Sequence, residues 1–289
     1  MADGKDSAMA SYRRIEVRPL TGALGAEIFG ADLTRLDDEM FAEIRRAFLD
    51  HLVIAIRDQD LTPAQQKNFA ARFGPLSTHR FLKGLDGHPE ILEIRREPTD
   101  RTVFAEGWHA DVTYQERPVL GSMLYAKEVP AIGGDTLFAN QYLAYEAMTP
   151  GMRAMLDGLI GIHGGRNVYG DAPTSAITNA KLVADRKTAA ETETEHPVVR
   201  THPETGRKAL FVNPHYTLRF KGWTEAESRP LLDHLFEFST RPEFTCRLRW
   251  HEGSLGIWDN RCTQHTPIDD YFGKRRVMHR VTIEGDRPR

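Results

Sequence analysis

Cysteine is almost missing from this 289-residue chain. The two present, Cys246 and Cys262, form no Cys-x-x-Cys pair and cannot frame a disulfide scaffold, so a reducing compartment is the simple reading. Long apolar runs are missing as well. Stretches such as 52–56 fall far short of the roughly 20 residues a membrane helix needs. The opening MADGKDSAMASYRR lacks the apolar core of a signal peptide. These absences predict a cytoplasmic protein with no membrane partner. Blocks of like charge are absent too, and the net charge is only −3. The arginine pairs at 13–14, 45–46, 95–96 and 275–276 are scattered, so no basic stripe for nucleic acid can be read. No repeat, low-complexity tract or flexible linker divides the chain. One domain over 13–289 is therefore expected, behind a loose tail at 1–12.

What is present is an ordinary globular balance, 40% hydrophobic and 27% charged, on a chain long enough to bury a sizeable core. Short apolar alternations predict strands at 14–19, 52–57, 90–95, 119–128, 198–202, 208–212, 244–250, 255–258 and 277–284. The turn Pro203-Glu-Thr-Gly206 joins two of them as a hairpin. Helices are predicted at 37–51, from Thr62 to about Phe73, and at 223–239, the last two with hydroxyl caps and Gln65 or Glu227 three residues on. Many short strands with few helices suit an antiparallel barrel or jelly roll with helices packed outside, a mainly β fold. The stretch 164–196 is small, polar and non-periodic, and reads either as a lid over a site or as a plain disordered surface loop.

Among twelve histidines, one His-x-Asp triplet is free of proline, His109-Ala-Asp111. Residues i and i+2 of an extended segment point to one face, so the imidazole and carboxylate can share a metal. A second imidazole from a distant strand completes a facial triad with three open positions, which suits iron(II); zinc accepts the same donors. The distant imidazole is sought in Trp258-Asp-Asn-Arg-Cys-Thr-Gln-His265. If 277–284 is a strand, Arg276, Met278, Arg280 and Thr282 share a face. Two arginines there are hard to explain as barrel filling, since arginine is almost never buried unpaired. A solvated face is the alternative. Gly133-Gly134-Asp135-Thr136 offers close backbone approach and a hydroxyl, although such a turn also commonly enters a strand.

The ordered set WHADVTY (108–114), GGDT (133–136), WDNRCTQH (258–265) and RRVMHRVTIEGD (275–286) resembles the taurine dioxygenase family of iron(II)/2-oxoglutarate oxygenases, a group that includes alkylsulfatases and aryloxyalkanoate dioxygenases. The resemblance runs from about Ile15 to Pro288. It implies a double-stranded β-helix core, with His109, Asp111 and His265 as ligands of iron(II). It implies that Thr136 and Arg276 hold the tail carboxylate of 2-oxoglutarate, and that Arg280 lies between cosubstrate and substrate anion. His79 and the Val112 amide match an anion site, and Tyr216 an aromatic wall. The reaction implied consumes O₂ and 2-oxoglutarate, yields succinate and CO₂, and hydroxylates a small organic anion. A carbon that also carries sulfonate, sulfate or aryloxy would then lose that group. Ala105 and Leu82 stand where taurine dioxygenases have asparagine and tyrosine, which disfavours taurine and favours an anion with an apolar tail. A zinc hydrolase on the same triad and a non-catalytic anion-binding barrel are the alternatives, and assembly into a homo-oligomer is left open.

Overall fold

The computed structural model describes residues 12–79, 82–101, 105–169 and 186–289. Its centre is an eight-stranded sheet. In order across it run Glu16–Pro19, Ala26–Phe29, Val53–Ile56, Leu255–Asp259, Gly121–Glu128, Arg276–Ile283 and Leu76–Ser77, with Ile91–Arg96 also pairing to Arg276–Ile283. Only Ala26–Phe29 beside Val53–Ile56 is a parallel pair. Side-chain alternation gives this sheet two buried faces. Ile54, Ile56, Leu255, Ile257, Met123, Tyr125, Val281 and Ile283 pack towards the helices Asp38–His51 and Pro63–Ala71. Val53, Ala55, Leu124, Ala126, Trp258 and Met278 pack inwards against Phe138, Cys246 and Leu248. Those last residues belong to a second, three-stranded antiparallel sheet, Thr245–Leu248, Thr136–Asn140 and Thr263–Pro267. Burial on both faces explains why Val53–Ile56 reads as a continuous apolar run rather than an alternating one.

The two helices on the outer face start where their caps dictate. Asp37 accepts from the Met40 amide, and Thr62 and Gln65 form a reciprocal capping box. The helix Glu225–Ser239 has the same box in Thr224 and Glu227. It packs through Leu232 and Leu235 onto a third apolar cluster with Val198, Leu210 and Phe220. The hairpin at 203–206 joins Val199–Thr201 to Lys208–Leu210 as expected.

Several elements differ from expectation. Ala26–Phe29, Ile160–Gly164, Thr217–Phe220 and Thr263–Pro267 are strands that periodicity did not reveal. The stretch expected to be irregular is ordered at both described ends. Arg166–Tyr169 and Arg186–Glu191 are helical, and Glu193–Pro197 is a strand paired to Ile160–Gly164. That strand reads as polar because its outward residues are charged: Glu193 pairs with Arg219 and Glu195 with Lys221. Residues 170–185, on which most of the lid expectation falls, lie outside the described residues, as do residues 1–11 of the expected tail.

Phe48 is fully buried between the Asp38–His51 helix and the central sheet, edge-on to Phe73 at 5.5 Å between ring centroids. Phe48→Ala is expected to cost about 3–5 kcal/mol by urea denaturation. Phe272→Ala, at a residue 70% exposed, is expected to leave the midpoint unchanged. Equal midpoints for wild type and Phe48→Ala would contradict this packing.

Candidate metal centre and anion pocket

The loop that carries the His-x-Asp triplet is tied to the inner sheet by one residue pair. The His109 amide donates to the His265 carbonyl at 3.0 Å, and the His265 amide donates back at 2.7 Å. This antiparallel bridge sets the two imidazoles face to tilted face, with centroids 4.2 Å apart. Asp111, two residues on, points the same way. Its Oδ1 lies 3.7 Å from His109 Nε2 and 3.9 Å from His265 Nε2. All three residues are buried, and their donor atoms lie within 4.8 Å of one another.

Each donor is aimed by what holds its other end. His109 donates from Nδ1 to the Gly107 carbonyl at 2.8 Å, which leaves the Nε2 lone pair for a ligand. His215 stacks flat on the His109 ring, centroids 4.6 Å apart, and reaches the Glu106 carbonyl through Nε2 at 2.8 Å. A side chain at Gly107 would meet the His215 ring, and its φ of +96° is one that glycine adopts without strain. On Asp111, Oδ2 accepts from Ser122 at 2.6 Å and from Asn260 at 3.1 Å, so only Oδ1 faces the imidazoles. Asn260 is fixed in turn by the Trp258 indole and the Asp111 amide. The His265 ring lies against Trp258, and its Nδ1 has no hydrogen-bond partner.

Burial, first of all, pushes the imidazoles down, to about 3 for His109 and about 4 for His265, so both are neutral and able to coordinate at neutral pH. Burial opposes ionisation of Asp111. Arg280 and the two imidazoles outweigh it and hold the carboxyl well below the usual range. Two neutral imidazoles and one monodentate carboxylate oxygen, pre-aimed in a dry setting, fit a divalent metal. A second cluster, His202, Asp259 and Cys262, does not. There Arg261 grips both Asp259 oxygens at 2.8 and 2.7 Å, and His202 donates to Oδ2 at 3.0 Å. His202 Nδ1 already accepts from the amides of Glu204 and Thr205, so every donor is spent on pinning the hairpin bend.

Both arginines of the Arg276–Ile283 strand face inward, not to solvent. Arg280 donates to Asp111 Oδ1 at 2.8 Å and to Ser122 Oγ at 3.2 Å, while its Nε has no partner among the described residues. Arg276 is buried, and among the described residues no carboxylate pairs with it; its guanidinium lies near Trp250 and Tyr271, at 6.0 and 5.9 Å. Burial works against its charge. An arginine in this state is incomplete without an anion. The double glycine lets the chain pass directly beside it. Gly134, at φ +73°, would place a Cβ 3.4 Å from Arg276 Nε. Thr136 accepts from the Trp250 indole at 3.0 Å, which leaves its hydroxyl proton to donate.

A cavity of about 500 Å³ is lined by His79, Val112, Tyr114 and Arg280, with Ser77, Thr282 and others at its walls. It meets the triad at Arg280. Burial, then the Arg280 charge, pushes His79 down to about 4, so it faces the cavity as a neutral imidazole. Tyr216 is not among the lining residues; it packs at 5.4 Å against Tyr114, which is. Leu82 is buried, and Ala105 is half-buried at φ +58°. Sequence reasoning passed over Ser122, Asn260, His215 and Tyr114. Asn260 sits inside the Trp-Asp-Asn-Arg stretch and Tyr114 ends the Trp108-His-Ala-Asp-Val-Thr-Tyr114 stretch, so both could have been flagged; Ser122 and His215 carry no signal outside the fold.

The family model for "Taurine catabolism dioxygenase TauD, TfdA family" matches residues 16–282. The chain is 37% identical to an alkylsulfatase of Acinetobacter baylyi over 95% of its length and 86% of the relative's. It is 38% identical to an alpha-ketoglutarate-dependent sulfate ester dioxygenase of Pseudomonas putida, over 95% and 91%. The crystal structure of a taurine dioxygenase from Burkholderia xenovorans superposes with a TM-score of 0.80 at 39% identity, covering 96% of this chain and 93% of that one.

Removing the Ser122 hydroxyl frees Asp111 Oδ2 to rotate. Ser122→Ala and Asn260→Ala are each expected to weaken divalent-metal binding about tenfold or more, read by anaerobic cobalt(II) titration calorimetry. Wild-type affinity in both would show that the triad does not hold the metal through a single Asp111 oxygen.

Proposed function

Since the chain belongs to the taurine catabolism dioxygenase TauD, TfdA family, we propose that it is a 2-oxoglutarate-dependent dioxygenase that hydroxylates an organic anion with an apolar tail, an alkyl sulfate ester first of all. The single observation that carries the reading is the buried triad His109, Asp111 and His265, which shares Arg280 with a cavity of about 500 Å³. Its fold is the mainly β jelly roll that this family uses, and strands from both ends of the chain in one sheet support a single domain.

His109 and His265 through Nε2 and Asp111 through Oδ1 would hold iron(II). Bound there, the iron supplies activation of O₂ coupled to oxidative decarboxylation of 2-oxoglutarate. The protein's own task is placement. Arg276 offers a planar fork to the tail carboxylate, and the free proton of Thr136 adds one hydrogen bond. Arg280, whose Nε is unpartnered among the described residues, lies between the metal-facing carboxylate and the pocket, where it can take an anion's oxygen. His79, neutral at physiological pH, donates without adding charge. Sulfate esters and sulfonates stay ionised throughout the biological range, so this pairing does not depend on substrate protonation.

By the resemblance, Leu82 and Ala105 stand where taurine dioxygenases have polar residues, and although neither lines the cavity itself, an ammonium group would find no such partners at those positions. The two sulfate-ester relatives support the same choice. Hydroxylation at the carbon bearing the sulfate gives a hemiacetal-like product that breaks down to an aldehyde and inorganic sulfate.

Arg276→Ala is expected to raise the 2-oxoglutarate KM at least a hundredfold, and Thr136→Ala severalfold, as the loss of one hydrogen bond of roughly 1 kcal/mol predicts. Steady-state kinetics at saturating substrate check this; unchanged KM in Arg276→Ala would send the cosubstrate elsewhere. On a panel of alkyl sulfates, alkyl sulfonates, aryloxyalkanoates and taurine, succinate formation is expected to be fastest with an alkyl sulfate and slowest with taurine. A taurine kcat/KM above the others would overturn the substrate reading.

A further inference from the structure

Val112, directly after Asp111, has φ +47°. A β-branched residue in the left-handed region is strained and persists only where its surroundings hold it there. The conformation matters because Val112 lines the anion cavity, and among the described residues no acceptor within the chain takes its N–H. Relaxation of Val112 to an ordinary φ would reorient the peptide that carries this donor.

What holds the turn is a buried polar clamp on its far side. The Val112 carbonyl accepts from the Gln115 amide at 3.0 Å. The Tyr114 carbonyl accepts from Thr194 Oγ1 at 2.8 Å, and the Gln115 carbonyl from His196 Nε2 at 2.9 Å. The Thr113 side chain is a further buried anchor, at 1% exposure. Its Oγ1 accepts from Asn213 Nδ2 at 3.1 Å, and its proton goes to Nδ1 of His163 at 3.0 Å. Burial keeps His163 neutral and able to accept. Asn213 also takes the Tyr216 amide on its Oδ1 and donates its own amide to Thr217 Oγ1. His163, Thr194, His196 and Thr217 all come from one small sheet, Thr217–Phe220, Ile160–Gly164 and Glu193–Pro197, which otherwise has no part in the site.

We propose that Thr113 is a positioning residue for substrate selection: its hydroxyl, gripped by Asn213 and His163, keeps Val112 left-handed and so presents the Val112 amide to the substrate anion. The proposal rests on reading the 500 Å³ cavity as the substrate pocket. It separates substrate grip from metal and cosubstrate grip, because the clamp reaches the chain after Asp111 whereas the Asp111 carboxylate is fixed independently by Ser122 and Asn260.

The test uses anaerobic protein loaded with iron(II) and 2-oxoglutarate, and calorimetry with hexyl sulfate. Thr113→Val keeps the shape and removes the hydroxyl. It is expected to weaken hexyl sulfate binding about tenfold, the scale of one hydrogen bond to a charged group, with iron and 2-oxoglutarate affinities unchanged. Thr113→Ser is expected to retain wild-type binding. Glycine takes a positive φ without being held, so adding Val112→Gly to Thr113→Val is expected to recover most of the loss. Wild-type hexyl sulfate binding in Thr113→Val overturns the proposal. So does a loss that extends equally to iron and 2-oxoglutarate and is not recovered by Val112→Gly, since that is the mark of a merely structural residue. A wild type that binds no hexyl sulfate overturns the substrate reading and this inference together; a wild type that binds it, with Thr113→Val binding equally, overturns this inference alone.

Discussion

The site hangs on the paired backbone hydrogen bonds between His109 and His265. Without them the His109 loop has no register relative to the inner sheet, and no arrangement of side chains could bring two imidazoles and a carboxylate within ligand distance. With them, the 155 residues of sequence between the two histidines cease to matter for geometry. The bridge is cheap because it extends an existing sheet: His265 sits mid-strand in Thr263–Pro267, already paired on its other side to Thr136–Asn140. That same neighbouring strand begins at Thr136, so the proposed metal ligand and the proposed cosubstrate donor are set by one ladder.

Charge in the interior follows a consistent logic. Wherever a buried carboxylate serves structure, its oxygens are satisfied on all sides, as Asp259 is by Arg261 and His202. Around the triad the satisfaction stops short. Among the described residues, His265 Nδ1, Arg276 Nε and Arg280 Nε are left without hydrogen bonds, and Arg276 has no carboxylate. Unfilled polar atoms in a native interior are costly. They also occur elsewhere, at Arg96 and Arg200 for example, but a buried guanidinium with no carboxylate among the described residues, beside a metal-type cluster, marks a place completed by a ligand. The cost is borne by the apolar clusters on both faces of the central sheet. A scaffold buried on both faces can hold an incomplete polar centre in its middle.

Much of this was legible in the sequence, and the limits have physical causes. The pairing of His109 with Asp111 was readable because i and i+2 geometry is local; His265 followed only from the resemblance. That Arg276 and Arg280 share a face was readable from strand alternation; that this face points inward was not, because alternation alone does not say which face is buried. The helix caps at Thr62 and Thr224 were legible because capping is decided within four residues. By contrast, Ser122 looks like any strand serine, and only the fold brings it to Asp111. The Glu193–Pro197 strand was hidden because its charges pair across neighbouring strands, a non-local compensation. Thr263–Pro267, the strand that carries His265, was not among the strands read from the sequence, since Thr-Gln-His-Thr-Pro has no apolar alternation to betray it. The strained Val112 left no trace in composition at all.

The central claim is that the triad supports O₂-dependent hydroxylation rather than hydrolysis at a metal-bound water. Turnover of an alkyl sulfate under ¹⁸O₂ with 2-oxoglutarate tests it most directly, with the products trapped by rapid reduction of the aldehyde and analysed by mass. The account predicts one labelled oxygen in succinate, transient label in the trapped alcohol, and one succinate for each sulfate released. Sulfate release that proceeds without O₂, with label entering only from H₂¹⁸O and no succinate formed, would contradict it.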